Sequence, residues 1–81
     1  MKIRIKAFAS LKDILSFSEK EFDFAENISA GQAVIELKKN YPGFSSYSGL
    51  LLMARNEEFC NESVILKEGD VIALFPPVSG G

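Results

Sequence analysis

From residue 2 to residue 8 the chain alternates, with Ile3, Ile5 and Ala7 on one face and Lys2, Arg4 and Lys6 on the other. Period two is the pattern of a strand with one face buried. Residues 20–24, KEFDF, repeat it: Phe22 and Phe24 share one side, Glu21 and Asp23 the opposite one. Between these strands Leu11, Ile14 and Leu15 stand at i, i+3 and i+4, which predicts a short helix over residues 10–17 with Ser10 as its cap. A longer helix follows. Ser29 and Gln32 have the spacing of a capping box, in which each residue bonds the other's backbone amide. Ala30, Val34, Leu37 and Tyr41 then recur at helical intervals, Lys38 and Lys39 suit the carbonyl end of the helix dipole, and Pro42 with Gly43 ends the helix.

The second half reads as strands. The apolar run 50–55 predicts a buried strand, Asn56 and Glu57 a turn, and residues 58–60 a short strand. In KEGD, residues 67–70, Gly69 is free to take positive φ in a second turn, and residues 71–75 form the last strand. Strands and helices in the order β-α-β-α-β-β-β predict an α+β fold of the ubiquitin-like, β-grasp type. We expect a mixed sheet of four or five strands packed on one main helix plus a short one. With 81 residues there is a single core, assigned to residues 1–75, followed by a protruding tail, residues 76–81.

Composition narrows the function. A 47% hydrophobic and 25% charged chain is an ordinary folded domain, and nine basic against eleven acidic residues give no electrostatic footprint for nucleic acid or anionic lipid. The longest apolar run, LLLMA, is far below the roughly 20 residues of a membrane-spanning helix. MKIRIKAF is unlike a secretory signal, so the expected location is the cytoplasm. One cysteine, Cys60, and no histidine make a zinc site or disulfide framework a poor reading, and remove the imidazole on which most general-base and triad chemistry depends. No bound cofactor is expected.

The tail, FPPVSGG, carries the candidate chemistry. Pro76 and Pro77 fix φ and donate no hydrogen bond, so the sheet ladder should end at Phe75 and the chain leave as a semi-rigid arm. Six extended residues reach about 18 to 20 Å. Gly80 and Gly81, lacking Cβ, leave the terminal carboxylate open to approach. That carboxylate is ionised and a poor electrophile. A mixed anhydride with phosphate activates it toward a sulfur or nitrogen nucleophile, giving a thiocarboxylate, thioester or amide without any catalytic side chain of this chain. Small residues are also common at termini, which frequently fray, so the diglycine alone is a weak signal.

GDVIALFPPVSGG, residues 69–81, resembles the C-terminus of the MoaD/ThiS family of ubiquitin-like sulfur carriers. AFASLKDIL, residues 7–15, and SAGQAVIELKKNYP, residues 29–42, resemble its strand-to-helix entry and its second helix, with Lys12 in place of an expected arginine. The resemblance implies that Gly81 is adenylylated by an E1-like, ATP-using enzyme, converted to a thiocarboxylate with the help of a sulfur-donating enzyme, and used as sulfur donor. For the molybdopterin branch it implies entry of the tail into the large subunit of a synthase, in a heterotetramer whose catalytic residues lie in that subunit, and sulfur delivery to a cyclic pyranopterin precursor. Gly80 would give clearance, and Phe75, Pro76, Pro77, Val78 and Ser79 the contact with the partner. Carriers for thiamine thiazole or another sulfur product, and ubiquitin-like protein modifiers, are the alternatives the same tail serves.

Other residues read more simply. Cys60 near a turn is a small packed hydrophobe before it is a nucleophile. Lys2, Arg4 and Lys6 form the solvated face of a strand, and most of Phe8, Phe22, Phe24 and Phe75 are needed for the core, Phe75 being the one set aside for docking. Glu19, Glu21, Glu26, Glu57, Glu58 and Glu62 show no catalytic spacing, so the chain is not expected to be an enzyme by itself.

Overall fold

The computed structural model describes residues 1–77. Five strands, β1 (Lys2–Ala7), β2 (Glu19–Asp23), β3 (Leu52–Arg55), β4 (Glu58–Cys60) and β5 (Val71–Phe75), form one sheet in the order β2-β1-β5-β3-β4. β1 and β5 run parallel and the other neighbours antiparallel, so the sheet is mixed as expected. Three helices, α1 (Ser10–Leu15), α2 (Ala30–Asn40) and α3 (Pro42–Ser45), cover one face.

Alternation does what it predicts. Ile3, Ile5 and Ala7 of β1, with Ile72 and Leu74 of β5, are buried against Leu11, Leu15, Ala30, Ala33, Leu37 and Phe44 from the helices. On the outer face Lys2 pairs with Asp23 at 2.7 Å, and Arg4 with Glu19 at 3.1 Å and Glu21 at 3.6 Å.

The helices differ from expectation at their ends. Ser10 is the first helical residue of α1 rather than its cap; Ala9 takes that place with φ 54° and ψ −133°, and no side chain caps the helix. The amide of Leu11 donates to the carbonyl of Phe8 at 3.1 Å, closing a tight turn around Ala9. α1 ends at Leu15 instead of residue 17, because Ser16 turns left-handed at φ 65°. That turn sends Phe17 to Phe22 and Tyr41, with ring centroids 5.6 and 5.8 Å away. α2 has the capping box: the Gln32 amide donates to Ser29 Oγ at 3.1 Å, and the Ser29 amide to Gln32 Oε1 at 2.8 Å. Its next free amides, of Ala30 and Gly31, donate to the carbonyls of Val64 and Glu62 at 2.8 and 2.9 Å. A Cβ on Gly31 would stand 3.0 Å from Glu62 Cβ, so glycine permits this approach. Pro42 ends α2 yet begins α3, one further turn, in keeping with proline's tolerance at a helix start. It brings Phe44 into the core.

The expected strand over 50–55 starts two residues later, at Leu52; Leu50 is exposed and precedes it. Asn56 and Glu57, at φ 50° and 73°, make the hairpin turn with both central residues left-handed. This turn is tied to the 67–70 turn. Asp70, only 8% exposed, accepts from Asn56 Nδ2 at 3.0 Å and from the Lys67 amide at 2.9 Å. Asn56 exchanges two more bonds with Val71: its Oδ1 accepts the Val71 amide at 2.9 Å and its own amide donates to the Val71 carbonyl at 2.8 Å. The start of the central strand is thereby fixed.

Candidate functional site

The tail leaves from the far end of that strand. β5 is bonded on both sides, to β1 up to the pair Ala7 with Leu74 and to β3 up to the pair Leu52 with Phe75. The amide of Phe8 donates to the Leu74 carbonyl at 3.1 Å and prolongs the pairing beyond β1. Pro76 and Pro77 follow, outside any strand, as proline's missing donor requires. Val78, Ser79, Gly80 and Gly81 lie outside the described residues, and with them the tip of the expected protruding tail.

The root of the tail is aromatic. Phe75 points to the sheet face away from the helices and stacks on Phe8, with centroids 4.8 Å apart and planes at 11°. Phe59, from β4, stands 6.1 Å from Phe75. Phe8 is 41% exposed and Phe59 77%, so their apolar surface faces solvent although each could have been polar without harm to the core. Of the four phenylalanines considered from sequence, Phe24 is buried and Phe22 partly so, while Phe75 has Phe8 as companion. Phe59 was missed; its one signal is a phenylalanine following two glutamates in a short edge segment.

Register explains the shape beside these rings. Lys6 of β1 pairs with Ala73 of β5, Ala73 with Ala54 of β3, and Ala54 with Phe59 of β4. Four side chains therefore stand in one row across four strands, the middle two being methyl groups. The result is a hollow of about 220 Å³ floored by Ala54 and Ala73, walled by Phe8, Phe59 and Phe75, with Lys6 and Glu57 in its lining. Arg4 takes Glu19, the cross-strand neighbour of Lys6, and no described carboxylate lies within ion-pair distance of Lys6. The basic stripe read from sequence as a solvated face is thus two paired cations and one that makes no ion pair among the described residues.

A larger groove, about 580 Å³, lies on the helical side between α2 and the segment before β3. Ile35 and Leu50 are exposed there, but the polar groups of Ser29 and Gln32 in its lining are spent on the capping box. Cys60 is half-buried against the core, as its reading as a hydrophobe requires. Among the described residues no group of histidine, cysteine or carboxylate side chains is arranged to hold a metal, and no helix is long and apolar enough to cross a membrane.

A mixed five-stranded sheet wrapped on a principal helix, with parallel first and last strands at its centre, defines a ubiquitin-like β-grasp protein. The family model described as ThiS family matches residues 5–81, and the chain belongs to that family. A curated relative from Chlamydomonas reinhardtii, named molybdopterin synthase sulfur carrier subunit, is 25% identical over 83 residues and covers all of both chains. SAMP1, the small archaeal modifier protein 1 of Haloferax volcanii, superposes with a TM-score of 0.86 at 28% identity over 100% of each chain. A putative molybdopterin converting factor subunit 1 from Pyrococcus furiosus gives 0.85 at 27% identity, covering 96% of this chain and 99% of that one.

Proposed function

We propose that this chain is the sulfur-carrier subunit of a molybdopterin synthase, with the carboxylate of Gly81 as its working group. The observation that carries this reading is the junction at Phe75: a doubly paired central strand runs straight into Pro76 and Pro77 beside an exposed aromatic face. Such a strand is a firm base for an acyl group handled by other proteins. The name of the Chlamydomonas relative supports the molybdopterin branch of the family.

In the proposed cycle a Gly81 carboxylate oxygen attacks the α-phosphorus of ATP on an E1-like enzyme, forming an acyl adenylate and releasing pyrophosphate. Hydrosulfide released by a sulfur-donating enzyme attacks the acyl carbon and displaces AMP, leaving the thiocarboxylate. The loaded tail then enters the synthase large subunit, where the sulfur passes to the cyclic pyranopterin precursor and water restores the carboxylate. Phe75 to Gly80 make the contact, the glycines because only they lack side chains at the reacting end. Catalytic side chains, ATP and any metal belong to the partners.

Intact-mass measurement after incubation with the activating enzyme, ATP and a sulfur source tests the reading. Replacement of one oxygen by sulfur is expected for the full chain and not for a variant lacking Gly81, whose thermal melt stays unchanged. Sulfur loading of the shortened chain at the full rate would reject it. The likeness to SAMP1 favours protein modification as the second reading. It requires amide-linked adducts on lysines of other proteins in the same incubation.

A further inference from the structure

We infer that the groove between α2 and the segment before β3 is a self-complementary surface, through which two copies of this chain associate about a two-fold axis at Ile35. Such pairing is independent of what the tail carries. Two large apolar side chains line the groove yet remain uncovered, Ile35 of α2 at 56% exposure and Leu50 at 67%. Val34, Leu51 and Met53 complete its apolar part. Large apolar side chains gathered in one groove and left open to water mark a surface that another molecule covers.

Charge identifies that molecule. At a rise of about 1.5 Å per residue, Lys38 lies about 4.5 Å beyond Ile35 along the α2 axis and Gly31 about 6 Å before it. Glu62 stands at the Gly31 end, where its carbonyl accepts the Gly31 amide at 2.9 Å. Neither Lys38 nor Glu62 makes an ion pair among the described residues; the Lys38 ammonium lies 5.4 Å from the Phe44 ring centroid instead. The groove is therefore positive at one end, negative at the other and apolar between, with the two charges at similar distances from its middle. A second α2 laid antiparallel over the first sets Lys38 of each copy opposite Glu62 of the other. A parallel copy would oppose lysine to lysine and glutamate to glutamate. One two-fold operation thus satisfies four charges and covers both copies of Ile35, as an isologous contact requires. Phe8 and Phe75 lie on the opposite face of the sheet, so the root of the tail stays open in the pair.

Sedimentation velocity of the full chain at low salt, from about 10 µM to about 1 mM, tests this. The contact is small, so association is expected to be half complete only near about 100 µM. Ile35→Ser removes the apolar centre and should weaken it at least about tenfold. Lys38→Glu and Glu62→Lys each place like charges together at both ends of the contact, and each should weaken it about tenfold. Combined in one chain, the two reversals exchange the signs and should return the affinity to within about threefold of wild type. Thermal melts within a few degrees of wild type establish that the variants are folded; Glu62→Lys, in an exposed turn, serves with Ile35→Ser should Lys38→Glu disturb α2. A wild-type chain that remains single at about 1 mM overturns the pairing, whatever other protein the groove accepts. So does a dimer indifferent to Ile35→Ser or to the charge reversals, because its contact lies elsewhere, and so does a folded double variant that stays as weak as the single ones.

Discussion

Asp70 should be the most costly polar residue to remove from this protein. Its two carboxylate oxygens hold the Asn56 side chain and the Lys67 amide, and Asn56 in turn holds both backbone groups of Val71 at the start of the central strand. Replacing Asp70 by alanine removes two hydrogen bonds to a charged acceptor at an 8% exposed position. At roughly 1.5 to 3 kcal/mol for each such bond, less the water the enlarged site admits, the expected loss is about 2 to 4 kcal/mol. A domain of this size has only about 4 to 12 kcal/mol in total, so the melting temperature should fall by about 10 to 20 °C. Asp70→Asn presents an acceptor to one of the two donors and an N–H to the other, and should lose about half as much. Urea unfolding followed by circular dichroism gives the answer: the midpoint should drop with an unchanged slope. An Asp70→Ala variant within about 0.5 kcal/mol of wild type would refute the argument that these bonds fix the two turns.

Two further outcomes follow from the backbone and the outer face. Ala9→Gly relieves a conformation that costs a non-glycine residue about 1 to 3 kcal/mol, offset by the greater freedom of glycine in the unfolded chain; a net gain near 1 kcal/mol should appear as a higher melting temperature. A lower one would mean that the turn is not strained. The hydrogen bond from Lys2, and secondarily its charge, hold the Asp23 carboxyl below its ordinary value. Its contribution is therefore complete above the usual carboxylate range and lost as pH falls through the lowered folded value. The urea midpoint of wild type should fall more than that of Asp23→Asn below about pH 4, slightly and only at low salt because both groups are exposed.

Where one face of an element is buried, its pattern could be read. Ile3, Ile5 and Ala7 declared β1 because burial requires period two, and the Ser29 and Gln32 spacing located the start of α2 because the orphan amides of a helix need those acceptors. Gly69, at φ 85°, was equally plain. Ala9 was not: alanine has no preference for positive φ, and its conformation is imposed by closing β1 onto α1. The length of α1 depends on the Phe17, Phe22 and Tyr41 cluster, which sequence cannot bring together. The end of the last strand was legible through Pro76 and Pro77, but the hollow beside it was not, since Lys6, Ala73, Ala54 and Phe59 become neighbours only through the pairing of four strands.

That the central position of the sheet belongs to β5 has a consequence for how the protein is made. β1 leaves the ribosome first yet has only β2 as an early neighbour; its other edge, and the inner edge of β3, wait for residues 71–75. Two separate strand pairs without the strand between them expose apolar faces and unpaired backbone, and neither is stable alone. Folding must therefore be nearly all-or-none and late, delayed until residues 71–75 have been synthesised, so a chain truncated before that segment is unfolded material for proteolysis.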